Sequence, residues 1–165
     1  MLQGRVVNER KRDHEYRQQL YTIQSEIKGA HTIPLVAPNR RFTRSAKFRL
    51  HIFIEPQHRG EGDDDEGEDR TQHSQYTSSP KVRRFEPDVV YHYYLFSDMI
   101  VECTAVMDGD ITLKRTYRLT NRVLAASLTP NRCLRVVHEN GVIYLQGGAM
   151  DMVNWMNDIN RRLYS

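Results

Sequence analysis

From Val89 onward the chain alternates short runs of β-forming residues with turn signals, then closes on a single amphipathic helix. The runs are VVYHYYLFSDMIVECTA, ITLKRTYRLT, RVLAASLT, CLRVVHE and VIYLQ. Ser97-Asp98, Asp108-Gly109, Thr129-Pro130-Asn131 and Glu139-Asn140-Gly141 punctuate them, and each is short enough to turn a hairpin. The helical text, AMDMVNWMNDINRRLYS, repeats Met152, Trp155 with Met156, Ile159 and Leu163 at helical spacing. Asp151 in its first turn and Arg161 and Arg162 in its last suit the helix dipole. Trp155 is the only tryptophan, and its place in the apolar stripe makes it a structural plug for the end of a sheet. An antiparallel sheet closed this way is a scaffold for binding.

One more strand lies upstream. Over Ala46–Ile54 the letters alternate, with Phe48, Leu50, Ile52 and Ile54 on one face and Lys47, Arg49 and His51 on the other. This gives about seven strands in all. Residues 57–88 break the pattern with three glycines, two prolines and the block EGDDDEGED from Glu61 to Asp69. Such text buries too little apolar surface to offset the entropy of ordering, so a disordered acidic insertion is predicted at about 57–88. It does not read as a calcium loop. Counting from Asp63, the sixth position lacks a glycine and the twelfth a glutamate.

Ahead of the sheet, residues 2–28 read as one helix. Val6, Tyr16, Leu20, Ile23 and Ile27 recur along one face, amid charged and amide-bearing neighbours. Gly29 suits the left-handed residue after the helix, and Pro34 and Pro38 hold the following link extended. The stripe must pack on the following domain, on another chain, or on a domain ahead of Met1.

Composition excludes several functions. A length of 165 residues suits one domain of ordinary size plus an appendage. No stretch approaches the ~20 apolar residues of a membrane span, and no signal-peptide pattern opens the chain. Cys103 and Cys133 fall in strand text and read as buried free thiols, so a cytoplasmic protein is expected. The seven histidines show no metal-ligand spacing, and no GxSxG, phosphate loop or paired carboxylate is present. Neither a catalytic residue, nor a metal, nor a cofactor is therefore expected. The net charge of +3 is uneven, with Arg10, Lys11, Arg12, Arg40, Arg41, Arg44, Lys47 and Arg49 preceding the acidic block. In the first helix the cations alternate with Glu9, Asp13 and Glu15, which fits a solvated helix rather than a nucleic-acid surface.

Taken in order, these segments resemble a pleckstrin-homology domain behind a Dbl-homology domain, as in Dbl-family guanine-nucleotide exchange factors for Rho GTPases. YYLFSDMIV resembles the second and third strands, and VIYLQGG the seventh. NERKRDHEYRQQLYTIQSEIKG resembles the last Dbl-homology helix, and LVAPNRRFTRSAKF the link and first strand. The resemblance implies a mainly β fold: a seven-stranded antiparallel sandwich or barrel, capped by a C-terminal helix and preceded by a long N-terminal one. Residues 1–29 would close the Dbl-homology domain, 30–45 would be linker, and 46–165 the pleckstrin-homology domain. It further implies a non-catalytic regulatory module that supports engagement of a Rho-family GTPase through the parent protein. The alternative is a stand-alone protein-interaction scaffold unconnected to nucleotide exchange.

Family members that grip inositol phosphates place basic residues on the first two strands, where charge-assisted hydrogen bonds replace headgroup hydration. Lys47, Arg49, Arg83, Arg84 and His92 are the candidates here. Tyr91, His92, Tyr93 and Tyr94 occupy the stretch where a basic pair is expected, and the acidic block repels anions. Basic residues near an anionic membrane give about 1 kcal/mol each. Three or four reach about −3 to −4 kcal/mol, near millimolar affinity. Weak, nonspecific contact with anionic lipid at the plasma membrane is the expectation. Ser79-Pro80 and Thr129-Pro130 make Ser79 and Thr129 candidates for proline-directed phosphorylation.

Overall fold

The computed structural model describes residues 2–54, 81–105, 109–120 and 125–162. Helix α1 (Leu2–Glu26) leads into strand β1 (Ile27–Lys28), a short 3-10 turn at Ala30–Thr32 and the long strand β2 (Phe42–Ile54). Then come β3 (Lys81–Phe96), β4 (Met99–Ala105), β5 (Ile111–Arg118), β6 (Ala126–Leu128), β7 (Leu134–His138), β8 (Gly141–Gln146) and helix α2 (Ala149–Arg161). They form one sheet in the order β1-β5-β4-β3-β2-β8-β7-β6.

Strand β2 is the corner of this sheet. It pairs with β3 along its whole length, and with β8 at Arg49, Leu50 and His51. The two halves meet where β5 and β7 end, through a bridge between Leu119 and His138, and Glu139 N–H donates to Arg118 O at 2.7 Å. A sheet folded on itself and plugged by a helix is the architecture expected. Among the described residues the strand count is eight rather than seven because Ile27 and Lys28 leave the helix and run parallel to β5 at Ile111 and Thr112. Gly29 follows in the left-handed region at φ 85, where glycine meets no Cβ penalty.

Strand β3 begins at Lys81, eight residues before the sequence pattern resumes. This corrects the C-terminal limit of the expected insertion, whose residues 55–80 lie outside the described residues. Pairing jumps from Arg49 with Val90 to His51 with Phe85, so residues 86–89 oppose Leu50 alone. Pro87 sits in that irregularity, where a residue without an N–H costs the ladder nothing. That irregularity broke the alternation and concealed the strand. Strand β2 likewise starts at Phe42, four residues ahead of its alternating text.

Two apolar clusters lie on opposite faces of β3 and β4. Tyr91, Tyr93, Leu95 and Ile100 join Phe48, Leu134, Leu145, Trp155 and Ile159 inside the folded sheet. Tyr94, Phe96, Met99, Val101 and Cys103 face outward and are covered by Leu20, Ile23, Ile27 and Leu35. A sheet covered on both faces needs near-continuous apolar strands, which explains the text YYLFSDMIV.

Candidate functional site

The basic residues ahead of the acidic block divide into cations already paired and cations facing water. Arg40 is only 6% exposed. Its Nε and Nη2 donate to the two carboxylate oxygens of Asp98 at 2.8 and 2.7 Å, and Nη1 donates to the carbonyls of Pro34 and Leu35. Asp98, at the β3–β4 turn, thus anchors the segment linking α1 to β2. Arg41 pairs with Asp13 of α1 at 2.8 Å and lies 4.4 Å over the Tyr16 ring. Arg44 donates to Asp158 of α2. These three arginines fasten the two helices and the linker to the sheet.

Lys47 and Arg49 remain exposed on the outer face of β2 and form no ion pair among the described residues. With Val90, Gln146 and Gly147 they border a shallow hollow where β8 parts from β2. His92 stands opposite Lys47 in the ladder and stacks on Tyr94, ring centroids 4.8 Å apart. Burial first, and the Lys47 charge second, push its pKa below the ordinary histidine value. Three of the five candidate anion contacts therefore share one face. Arg83 and Arg84 belong to β3, Arg84 opposite Ile52, further along the same hairpin. Their side chains lie outside the described residues.

The remaining candidates are placed as follows. Trp155 is fully buried and meets Phe48 edge-on at 5.1 Å. The chain passes so close at Gly147 that an added Cβ would lie 2.5 Å from the Phe48 ring. Asn160 of α2 accepts from Ala126 N–H at 3.0 Å and donates to Ala126 O at 2.8 Å, holding the plug against β6. Thr129 is half-buried, and its hydroxyl oxygen accepts from Cys133 N–H at 3.1 Å within the turn. Ser79 lies outside the described residues. Both cysteines are free and buried.

Sequence reasoning missed a polar cluster in the interior. Glu102 is fully buried, and the hydroxyls of Tyr93 and Tyr117 both donate to its Oε2 at 2.8 Å. Arg115 approaches the other carboxylate oxygen at 3.4 Å. Burial and then the neighbouring carboxylate drive both tyrosines well above the ordinary phenol range. The available signal was one acid amid the apolar letters of MIVECTA, since a buried carboxylate needs partners. Among the described residues no group of three His, Cys, Asp or Glu side chains could hold a metal ion, and no helix is long and apolar enough to cross a membrane.

Known protein families and curated proteins offer no match to the chain. Solved structures do match. A structure of the Vav1 exchange factor concerned with its PH and C1 domains superposes with a TM-score of 0.59 at 13% identity, over 97% of this chain and 35% of that one. The linker-DH/PH domains of p115-RhoGEF give 0.53 at 13% identity, over 97% and 43%. A DH/PH fragment of PDZ-RhoGEF solved with human RhoA gives 0.53 at 16% identity, over 97% and 42%. The chain has the fold of a PH domain preceded by a long helix, as in these DH/PH structures. It spans between a third and a half of the chains it matches.

Proposed function

We propose that the chain is the regulatory PH module of a Rho-family guanine-nucleotide exchange factor, with residues 1–29 closing its DH domain, 30–45 as linker and 46–165 as the PH domain. The observation that carries this reading is that likeness to the DH/PH fragments extends over α1 as well as the sheet, 97% of the chain in each case. The fastening supports it. Helix α1 is tied to the sheet by β1, by Leu20 and Ile23, by Lys28 with Asp110 and by Arg41 with Asp13. A module held this rigidly sets the direction of whatever the helix belongs to.

In this reading the module does not catalyse exchange itself. It orients the DH helices toward a Rho-type GTPase and adds weak anionic-lipid contact through Lys47, Arg49, Arg83, Arg84 and His92 at the cytoplasmic face of the plasma membrane. The test is a nucleotide-exchange assay on the longer chain, with and without residues 46–165. Loss of exchange rate on removal supports the reading, and an absence of exchange by the longer chain toward Rho-type GTPases overturns it. Val6, Val7 and Tyr21 of α1 are exposed, which leaves room for the alternative of a stand-alone scaffold pairing in trans. Self-association of the chain through those residues would favour that alternative.

A further inference from the structure

The hollow beside Lys47 and Arg49, to which the proposed function gives only weak anionic-lipid contact, has a shape and charge suited to a further ligand. We propose that it docks an extended acidic peptide of another protein. Lys47 and Arg49 are two residues apart on one strand face, a separation of about 6.6 Å at the strand rise. An extended peptide presents carboxylates at the same interval when acidic residues alternate, so both cations meet partners without bending either chain. Val90, 45% exposed on the same rim, offers an apolar contact between the charges.

Strand addition is blocked at Arg49, where β2 is paired on both sides. Lys47 and Arg49 pair with His92 and Val90 on one side, and Arg49 pairs with Gln146 on the other. Recognition therefore runs through side chains. The hollow lies where the β8 ladder ends at Gln146, Gly147 packs against Phe48 and the Lys47 carbonyl, and no further described strand pairs with β2 on that side. Its cations lie mid-strand in a recess, a geometry that accepts a narrow segment better than a flat bilayer. A peptide whose carboxylates meet both cations gains specificity from register as well as charge.

The experiment is fluorescence anisotropy with a short fluorescein-labelled peptide in which aspartates alternate with serines around one leucine. The expected result is saturable binding that weakens with salt. Lys47→Glu and Arg49→Glu each lower affinity at least about tenfold, the neutral Lys47→Gln and Arg49→Gln lower it less, and Arg118→Glu on β5 leaves it unchanged. Circular dichroism confirms that each variant is folded. Absence of saturable binding, or an equal loss in Arg118→Glu, overturns the proposal. So does binding of phosphatidylserine vesicles through the same cations without peptide binding. Binding seen only after the acids of residues 61–69 are replaced by serine overturns it as well, assigning the hollow to the chain's own acidic block.

Discussion

Glu102 and Arg40 show how single residues hold this sheet in ways their letters do not reveal. Glu102 stays buried because two phenols and a guanidinium surround it. Glu102→Gln removes the charge that opposes ionisation of Tyr93 and Tyr117, so both tyrosines should ionise at lower pH, though still above 10.0 because burial remains. Ultraviolet titration of tyrosinate measures this. Arg40 shares one guanidinium between a carboxylate and two carbonyls. Asp98→Asn should cost about 1.5–3 kcal/mol in urea unfolding, the range for hydrogen bonds to charged groups. Arg40→Lys should not restore it, since an ammonium lacks the fork geometry. His92 and His138 supply a pH dependence of known sign. Burial lowers both below 6.5 in the folded state, and His138 Nδ1 accepts from Asn140 N–H at 3.2 Å, a bond that protonation removes. The unfolded chain then binds more protons, so stability is complete above the unfolded value and falls as pH drops through it. The thermal midpoint should decline between pH ~7 and ~5.5, and less steeply in a His92→Gln, His138→Gln double variant.

Among the elements, α1 divides into two unlike parts. Its C-terminal turns bury Leu20 and Ile23 against β3 and β4, while Val6 and Val7 stand 46% and 64% exposed. Leu20→Ala should cost about 2–5 kcal/mol in urea unfolding, and Val7→Ser less than about 0.5 kcal/mol. An equal loss at the two positions would contradict the packing described. Helix α2 acts as a wedge whose seat is tight. Trp155→Ala should cost about 3–5 kcal/mol. Gly147→Ala should be destabilising too, because the new methyl meets the Phe48 ring and the Lys47 carbonyl. The Asn140-Gly141 signal located its hairpin, yet the turn itself is Glu139-Asn140, closed by the pair His138 and Gly141. Asn140 is not in the left-handed region, so tertiary pairing of β7 and β8 set the register over the local preference.

At the scale of the molecule, hydrophobic periodicity was enough to read the strand succession, the plugging helix, the role of Trp155 and the buried cysteines. These are local signals, since period and turn chemistry act over a few residues. Strand β1 and the early start of β3 escaped it because a two-residue strand has no period and Pro87 masks the other. The candidate site was half legible. Alternation alone put Lys47 and Arg49 on one exposed face, but nothing in it distinguished them from Arg40, Arg41 and Arg44. The sequence by itself determined which segments bury and which turn. Only the tertiary structure decided which charges are spent, because Arg40 meets Asp98 across 58 residues and Arg44 meets Asp158 across 114. Pairing at that separation depends on where the folded backbone brings two side chains, and no local pattern encodes it.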